Sequence, residues 1–196
     1  MIKFKIVVAG AKNVGKTSLI RRYATGKFSE STLSTIGVDF ETKRVQVGEE
    51  EILLNIWDFA GEKKFRTLLP SYVSGASGAL MLYDITDRES LKDLSDWINV
   101  ISSVPKGPKT KILIEAKADL DERREIKKKE GEEILKKFEF QGELLSTSAK
   151  TGKNVEEAFQ MLGKQILETS LKKCSNCGNY YPAEQNFCQF CGNRTN

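Results

Sequence analysis

Ile2 to Ala9 carries apolar side chains at most positions, the pattern of a strand buried in a sheet, and it leads into a glycine-rich turn that opens a helix over Lys16 to Thr25. Alternation of apolar and polar residues marks strands at Val38 to Val47 and Ile52 to Asp58, and Gly48-Glu49-Glu50 between them predicts a hairpin. Further strands are expected at Gly78 to Asp84, Lys111 to Ala116 and Glu143 to Ser146, separated by helical stretches such as Ser90 to Ser103 and Ile126 to Phe138. A last helix, Asn154 to about Leu171, places Val155, Ala158, Phe159, Leu162, Ile166 and Leu167 at helical spacing, so one of its faces packs into a core. Such alternation predicts an α/β fold, a mostly parallel six-stranded sheet with helices on both faces.

The pattern changes after Leu171. Residues 1–171 read as one domain and residues 172–196 as a short cysteine-bearing tail with almost no linker, and a chain of 196 residues has no room for a second full domain. The longest apolar runs, such as Ala79 to Tyr83, fall far short of the ~20 residues of a membrane span. Met1-Ile-Lys-Phe-Lys5 runs straight into a strand and lacks the pattern of a signal peptide, so a cytoplasmic, reducing setting is expected, where clustered thiols are metal ligands more often than disulfides. The formal charge of +4 is modest, and Lys and Arg interleave with acids, as across Asp121 to Lys137. That is a solvated helix face rather than a nucleic-acid surface. Histidine is absent, which excludes imidazole acid–base chemistry and imidazole metal ligands.

Gly10-Ala-Lys-Asn-Val-Gly15-Lys16-Thr17 fits GxxxxGK(S/T) and lies between a predicted strand and a predicted helix, the context that gives this motif its meaning. Its glycines let the loop curl so that backbone N–H groups face a β-phosphate, and the helix N-terminus adds its positive end. Lys16 then reaches β/γ oxygens and Thr17 a Mg²⁺ ion, which implies a nucleoside triphosphate. Trp57-Asp58-Phe-Ala-Gly61 follows a strand as a DxxG element, in which Asp58 holds Mg²⁺ through water and the Gly61 N–H meets the γ-phosphate.

With both elements in place, residues 3 to 170 resemble the Ras superfamily of small GTPases, and in particular its Rab branch. The resemblance is carried by Ser34-Thr-Ile-Gly-Val-Asp-Phe40, Ile56-Trp-Asp-Phe-Ala-Gly-Glu-Lys-Lys-Phe-Arg-Thr67, Tyr83-Asp-Ile-Thr-Asp-Arg-Glu-Ser90 and Ser148-Ala-Lys150. It implies a P-loop NTPase fold and a switch that binds GTP or GDP with Mg²⁺ and hydrolyses GTP, in the regulation of trafficking or signalling. By that resemblance Gly10, Lys12, Asn13, Val14, Gly15, Lys16, Thr17 and Ser18 hold the phosphates, and Thr35 senses Mg²⁺ and the γ-phosphate. Phe28 lies against the guanine ring, Lys117 and Asp119 read the base, and Ser148, Ala149 and Lys150 close over it, the Ala149 N–H facing O6. Asp119 accepts from the N1–H and N2–H₂ of guanine, a donor pair that adenine lacks. Phe40, Trp57 and Tyr72 match the Rab aromatic triad, a surface for effectors and for activating or exchange proteins, although ordinary core packing would use the same residues.

Three departures qualify the resemblance. The usual base-site asparagine is Ala116, and losing such a polar partner costs about 1 to 3 kcal/mol, or roughly 5- to 150-fold in affinity. The usual catalytic glutamine is Glu62, a group that only accepts hydrogen bonds and brings negative charge towards the γ-phosphate. Lys12 replaces a small residue in the phosphate loop, where it can face Glu62 and supply the missing donor, or else point to solvent. Catalysis is therefore assigned to Glu62 with Lys16 and Thr35, and is expected to be slow without an activating partner. The alternative is a GTP-binding interaction module with negligible turnover.

In the tail, Cys174-x₂-Cys177-x₁₀-Cys188-x₂-Cys191 has the spacing of two zinc knuckles, with Gly178 and Gly192 directly after each pair. Four thiolates around one structural Zn²⁺ leave no open position, so catalysis by the metal is not expected. The chain's last cysteine precedes Gly-Asn-Arg-Thr-Asn196, a pattern that does not support prenylation, so membrane association is expected only through partners. A nucleic-acid adaptor built on the ribbon has only weak support from charge.

Overall fold

β1 (Ile2–Gly10) is apolar on both faces, with Phe4, Ile6 and Val8 directed into one buried cluster and Val7 and Ala9 into another, which makes it a central strand. The computed structural model describes residues 2–30, 35, 37–62 and 69–194. The six-stranded sheet runs β2 (Val38–Val47), β3 (Glu50–Phe59), β1, β4 (Gly78–Asp84), β5 (Thr110–Ala116), β6 (Leu145–Ser146). β2 pairs antiparallel with β3, and every other pairing is parallel. The predicted sheet and its hairpin are thus present.

α1 (Lys16–Thr25) and α5 (Val155–Ser170) cover one face, where the Tyr23 and Phe159 rings stack with centroids 3.8 Å apart. α2 (Leu69–Val73), α3 (Arg88–Ser103) and α4 (Lys128–Lys137) cover the other, around a fully buried Trp97. Among the described residues no helix is long and apolar enough to cross a membrane.

Element boundaries differ from expectation where side chains cap them. Asp87 accepts from the Glu89 N–H and starts α3 at Arg88, two residues before the predicted Ser90. Ile126 is buried but not helical, because α4 begins only at Lys128, where the Glu130 carboxylate accepts from the Lys127 N–H. Only Leu145 and Ser146 of the predicted 143–146 strand pair with β5. The short α2 and a 3-10 turn over Ala118–Arg123 were not anticipated. Of the motif stretches, Ser34, Ile36 and residues 63–67 lie outside the described residues.

The tail starts without a gap. β7 (Leu171–Lys173) continues from α5 and pairs antiparallel with β8 (Tyr180–Pro182). Leu171 and Tyr180 pack against the α1/α5 core, Tyr181 is buried in the tail itself, and Lys173 lies 3.4 Å from Glu50 at the hairpin turn. Truncating the stacked ring in Phe159→Ala is expected to lower stability by about 3 to 5 kcal/mol, the usual range for a buried aromatic, read as a fall in the urea midpoint at unchanged m-value.

Candidate functional site

The parallel strands β1, β3, β4, β5 and β6 all end at one edge, and the loops leaving that edge line a cleft of about 400 Å³. Lys12, Asn13, Val14, Gly15, Lys16, Thr17, Ser18, Phe28, Thr35, Gly61, Glu62, Lys117, Asp119, Ala149 and Lys150 are all on its wall. Gly10, Asp58 and Ser148 are not on the wall but are hydrogen-bonded to Lys16, Thr17 and Asp119, which are.

At the phosphate end, Gly15 takes a φ of 99°, which a side chain would strain, and its carbonyl accepts the first helical N–H, from Leu19. Gly61 has no room for a Cβ, which would run into the backbone of Ala11 and Lys12, so the DxxG turn lies directly on the phosphate loop. Lys16 is 5% exposed and donates to the carbonyls of Gly10 (2.9 Å) and Ala11 (2.7 Å). Burial pulls its pKa down to about 8, against the opposing pull of Asp58 and Asp93. An anion in the cleft would favour its charged form further.

Thr17 from the first turn of α1, Thr35 from the segment before β2 and Asp58 from the end of β3 converge. The two hydroxyl oxygens are 2.6 Å apart, Thr17 donates to Asp58 Oδ2, and Thr35 lies 3.2 Å from the same atom. Asp58 is buried, and burial pushes its pKa up, opposed by Thr17, Lys16 and Thr35. Among the described residues its Oδ1 atom has no hydrogen-bond partner. Three hard oxygen donors with an orphaned carboxylate oxygen fit Mg²⁺ and its water shell.

Lys12 Nζ lies 3.0 Å from Glu62 Oε1, with the side chains 49% and 29% exposed, so the two departures from the family pattern touch. The pair divides the cleft from a second cavity towards α3, lined also by Asp87, Ser90 and Asp93.

At the base end, Asp119 is exposed to the cleft and its Oδ1 accepts from the Ser148 hydroxyl at 2.6 Å. Ala118 N–H donates to the Thr147 carbonyl at 2.9 Å, which ties the 117–119 and 147–150 loops together. Lys117, in the left-handed region at φ 63°, reaches Asp84 Oδ2 at 2.6 Å, and Asp84 also accepts from the backbone and hydroxyl of Thr86. This explains the Tyr83-Asp-Ile-Thr stretch: it fixes Lys117 from below. Ala116 presents only a methyl group. Leu120, Thr147, Ser29 and Glu30 also line the cleft and were not foreseen, since nothing in their spacing marks them.

Away from the cleft, Phe40, Trp57 and Tyr72 form a contiguous row with centroids 5.3 and 5.7 Å apart, and Phe40 is 51% exposed. Trp57 and Tyr72 are half-buried and pack against the cluster under α2 and α3, so the row joins an exposed end at Phe40 to the core. In the tail the four cysteine sulfurs lie within 4.8 Å of one another, with Cys174 to Cys191 at 3.7 Å and Cys177 to Cys188 at 3.6 Å. Tetrahedral ligands at the Zn–S distance of about 2.3 Å sit about 3.8 Å apart, so the cage fits Zn²⁺. The backbone and side-chain N–H groups of Asn179 point at Cys177 and bring its pKa down to about 6, while burial pushes Cys188 up to about 11.

A family model described as the Ras family matches residues 5–168. Among curated proteins, the chain is 35% identical over 176 residues to the Ras-related protein Rab-8B of Homo sapiens, covering 90% of this chain and 84% of that one. It is 36% identical to Rab-8 of Diplobatis ommata, covering 88% and 81%, and 34% identical to Rab-13 of Rattus norvegicus, covering 84% and 80%.

Proposed function

This chain belongs to the Ras family as a Rab-like GTPase, and we propose that it is a GTP/GDP switch with a Mg²⁺-dependent phosphate site, an aromatic effector surface and a structural Zn²⁺ ribbon. The observation that carries the reading is the meeting of Thr17 and Thr35 on the buried Asp58. Thr35 comes from a loop between α1 and β2, so its presence there reports the state of that loop. Mg²⁺ held by Thr17, Thr35 and, through water, Asp58 would neutralise charge on the β- and γ-phosphates.

The chain's own groups do the remainder. Phosphate-loop N–H groups and Lys16 bind the β/γ oxygens, Gly61 offers its N–H to the γ-phosphate, and Phe28 with Asp119 and Ala149 holds guanine. Glu62 accepts a hydrogen bond from the attacking water, and the Lys12 ammonium supplies the donor that a carboxylate lacks while offsetting its charge. Thr35 orients the γ-phosphate. A second reading, a GTP-binding module with negligible turnover, is favoured by one fact: Lys12 already engages the Glu62 oxygen that would orient water. Regulation of trafficking through partners docked on Phe40, Trp57 and Tyr72 follows from the Rab likeness. The GTPase unit spans residues 1–171 and the ribbon residues 172–196.

Base choice tests the site directly. GTP is expected to outcompete ATP, and Asp119→Ala to erase most of that preference at the cost of about 2 to 4 kcal/mol in GTP affinity, the scale of a lost charge-assisted pair. Equal competition by ATP in the unmodified protein would sink the assignment.

The Lys12–Glu62 pair is tested by a double-mutant cycle with Lys12→Gly and Glu62→Gln, reading GTP affinity and the single-turnover rate. Each single change is expected to harm one of the two quantities, and the pair to couple by roughly 0.5 to 3 kcal/mol. Additive effects would remove the pair from the mechanism, and a rate indistinguishable from uncatalysed hydrolysis in all four proteins would leave the binding module.

For the ribbon, native mass spectrometry is expected to find one Zn²⁺ per chain, because a segment of this size gains its folding energy from the metal. A folded, metal-free tail would refute the assignment.

A further inference from the structure

We propose that Glu115 is a positioning residue for guanine recognition, a buried carboxylate that fixes the two base-reading loops against each other. The proposal rests on the reading that Asp119 and Ala149 meet the base.

Glu115 lies one residue from the end of β5 and is 0% exposed. Each of its oxygens has two partners. Oε1 accepts from Arg124 Nη2 (2.9 Å) and from the Ser146 hydroxyl, and Oε2 from Arg124 Nη1 (3.2 Å) and the Tyr83 hydroxyl (3.1 Å). Burial alone would raise its pKa, but the hydrogen bonds from Arg124 and Ser146 hold it below the usual carboxylate range. It is therefore a fixed anion at neutral pH.

Its partners come from both sides of the base site. Arg124 follows the 3-10 turn that carries Asp119, it holds that turn through Asp121 (2.8 Å), and it donates to the Ile126 carbonyl beyond it (3.1 Å). Ser146 ends β6 and directly precedes Thr147 to Lys150. The Glu115 carbonyl adds a third tie by accepting from the Thr147 N–H at 2.8 Å. From Ser148 the link returns to Asp119 through the 2.6 Å hydrogen bond. Ala116, the neighbouring side chain, has no polar atom with which to join the loops. One carboxylate thus sets where the Asp119 acceptor stands relative to the Ala149 N–H.

A buried ion pair is a poor source of stability, and well-packed apolar replacements are often neutral or better. What such a pair does supply here is direction, through a bidentate guanidinium contact that fixes angle as well as distance. This separates a positioning role from a merely structural one.

The test uses the full chain with its Zn²⁺ and nucleotide. The triple variant Tyr83→Phe, Glu115→Leu, Arg124→Met replaces the network by apolar groups, and Ser146→Ala cuts only its link to the second loop. GDP dissociation and the affinity ratio of GTP to inosine triphosphate, which lacks the N2 amine that Asp119 reads, are measured beside the melting temperature. The triple variant is expected to release GDP about tenfold faster or more and to lose most of its preference for the N2 amine, with melting within a few degrees of the parent; Ser146→Ala should move both in the same direction by less. An unchanged ratio and release rate in a folded triple variant would overturn the proposal, and if that variant does not fold, unchanged values in Ser146→Ala overturn it. Equal affinity of the parent for GTP and ATP would instead strike the base reading itself.

Discussion

The nucleotide cleft depends on one constraint: β1 leaves the centre of the sheet at Gly10 and must re-enter regular structure at Lys16. So short a passage, pressed against β4 on one side and the DxxG turn on the other, leaves the backbone no alternative to a tight curl. Gly10 has no space for a Cβ beside the Leu82 carbonyl, and Gly61 has none beside Ala11 and Lys12. The curl buries the Lys16 ammonium against the carbonyls of its own loop. Asp58 and Gly61 stand at the end of β3, Lys117 and Asp119 follow β5, and Ser148 and Ala149 follow β6, all at the same edge of the sheet, while Thr35 precedes β2.

This arrangement concentrates unfavourable electrostatics in a small volume. Lys16 and Asp58 are both buried, each with its pKa shifted towards the neutral form, and Asp58 retains an oxygen with no partner. Such groups cost stability unless a partner completes the set. The Lys12–Glu62 pair is different in kind: it is half exposed and contributes little to folding.

Much of this was legible in the sequence, because the phosphate loop, the DxxG turn and the knuckle spacing are local and their chemistry permits few substitutions. The strands followed from apolar runs, and the Lys12–Glu62 contact is the one of two readings, facing Glu62 or pointing to solvent, that the structure shows. What was not legible depended on partners distant in sequence. Glu115 sits inside an apolar strand and reads as an exception until Arg124, Tyr83 and Ser146 are seen around it. Ile126 and Leu144 look like parts of regular elements by polarity, yet both are buried outside them, since packing against the α3/α4 core requires burial and not hydrogen-bonded register. The start of α3 was misplaced because the Asp87 cap competes with hydrophobic periodicity as a boundary signal.

The tail shows how a small unit is held in place once its own core is too small. Its buried set is little more than Tyr181, Cys174 and Cys188, which cannot offset the entropy of ordering some two dozen residues. The thiol cage supplies one constraint, and attachment to the larger domain supplies another: β7 continues from α5, the Ala183 N–H donates to the Ser170 carbonyl at 2.9 Å, and Tyr180 packs on the α1/α5 core. The contact of Lys173 with Glu50 lies at the start of β3, the end of that strand remote from Asp58 and Gly61. The ribbon therefore docks at the opposite edge of the sheet from the nucleotide cleft. The cysteine cluster and the cleft thus lie in different parts of the molecule, joined through α5 and the β2–β3 hairpin.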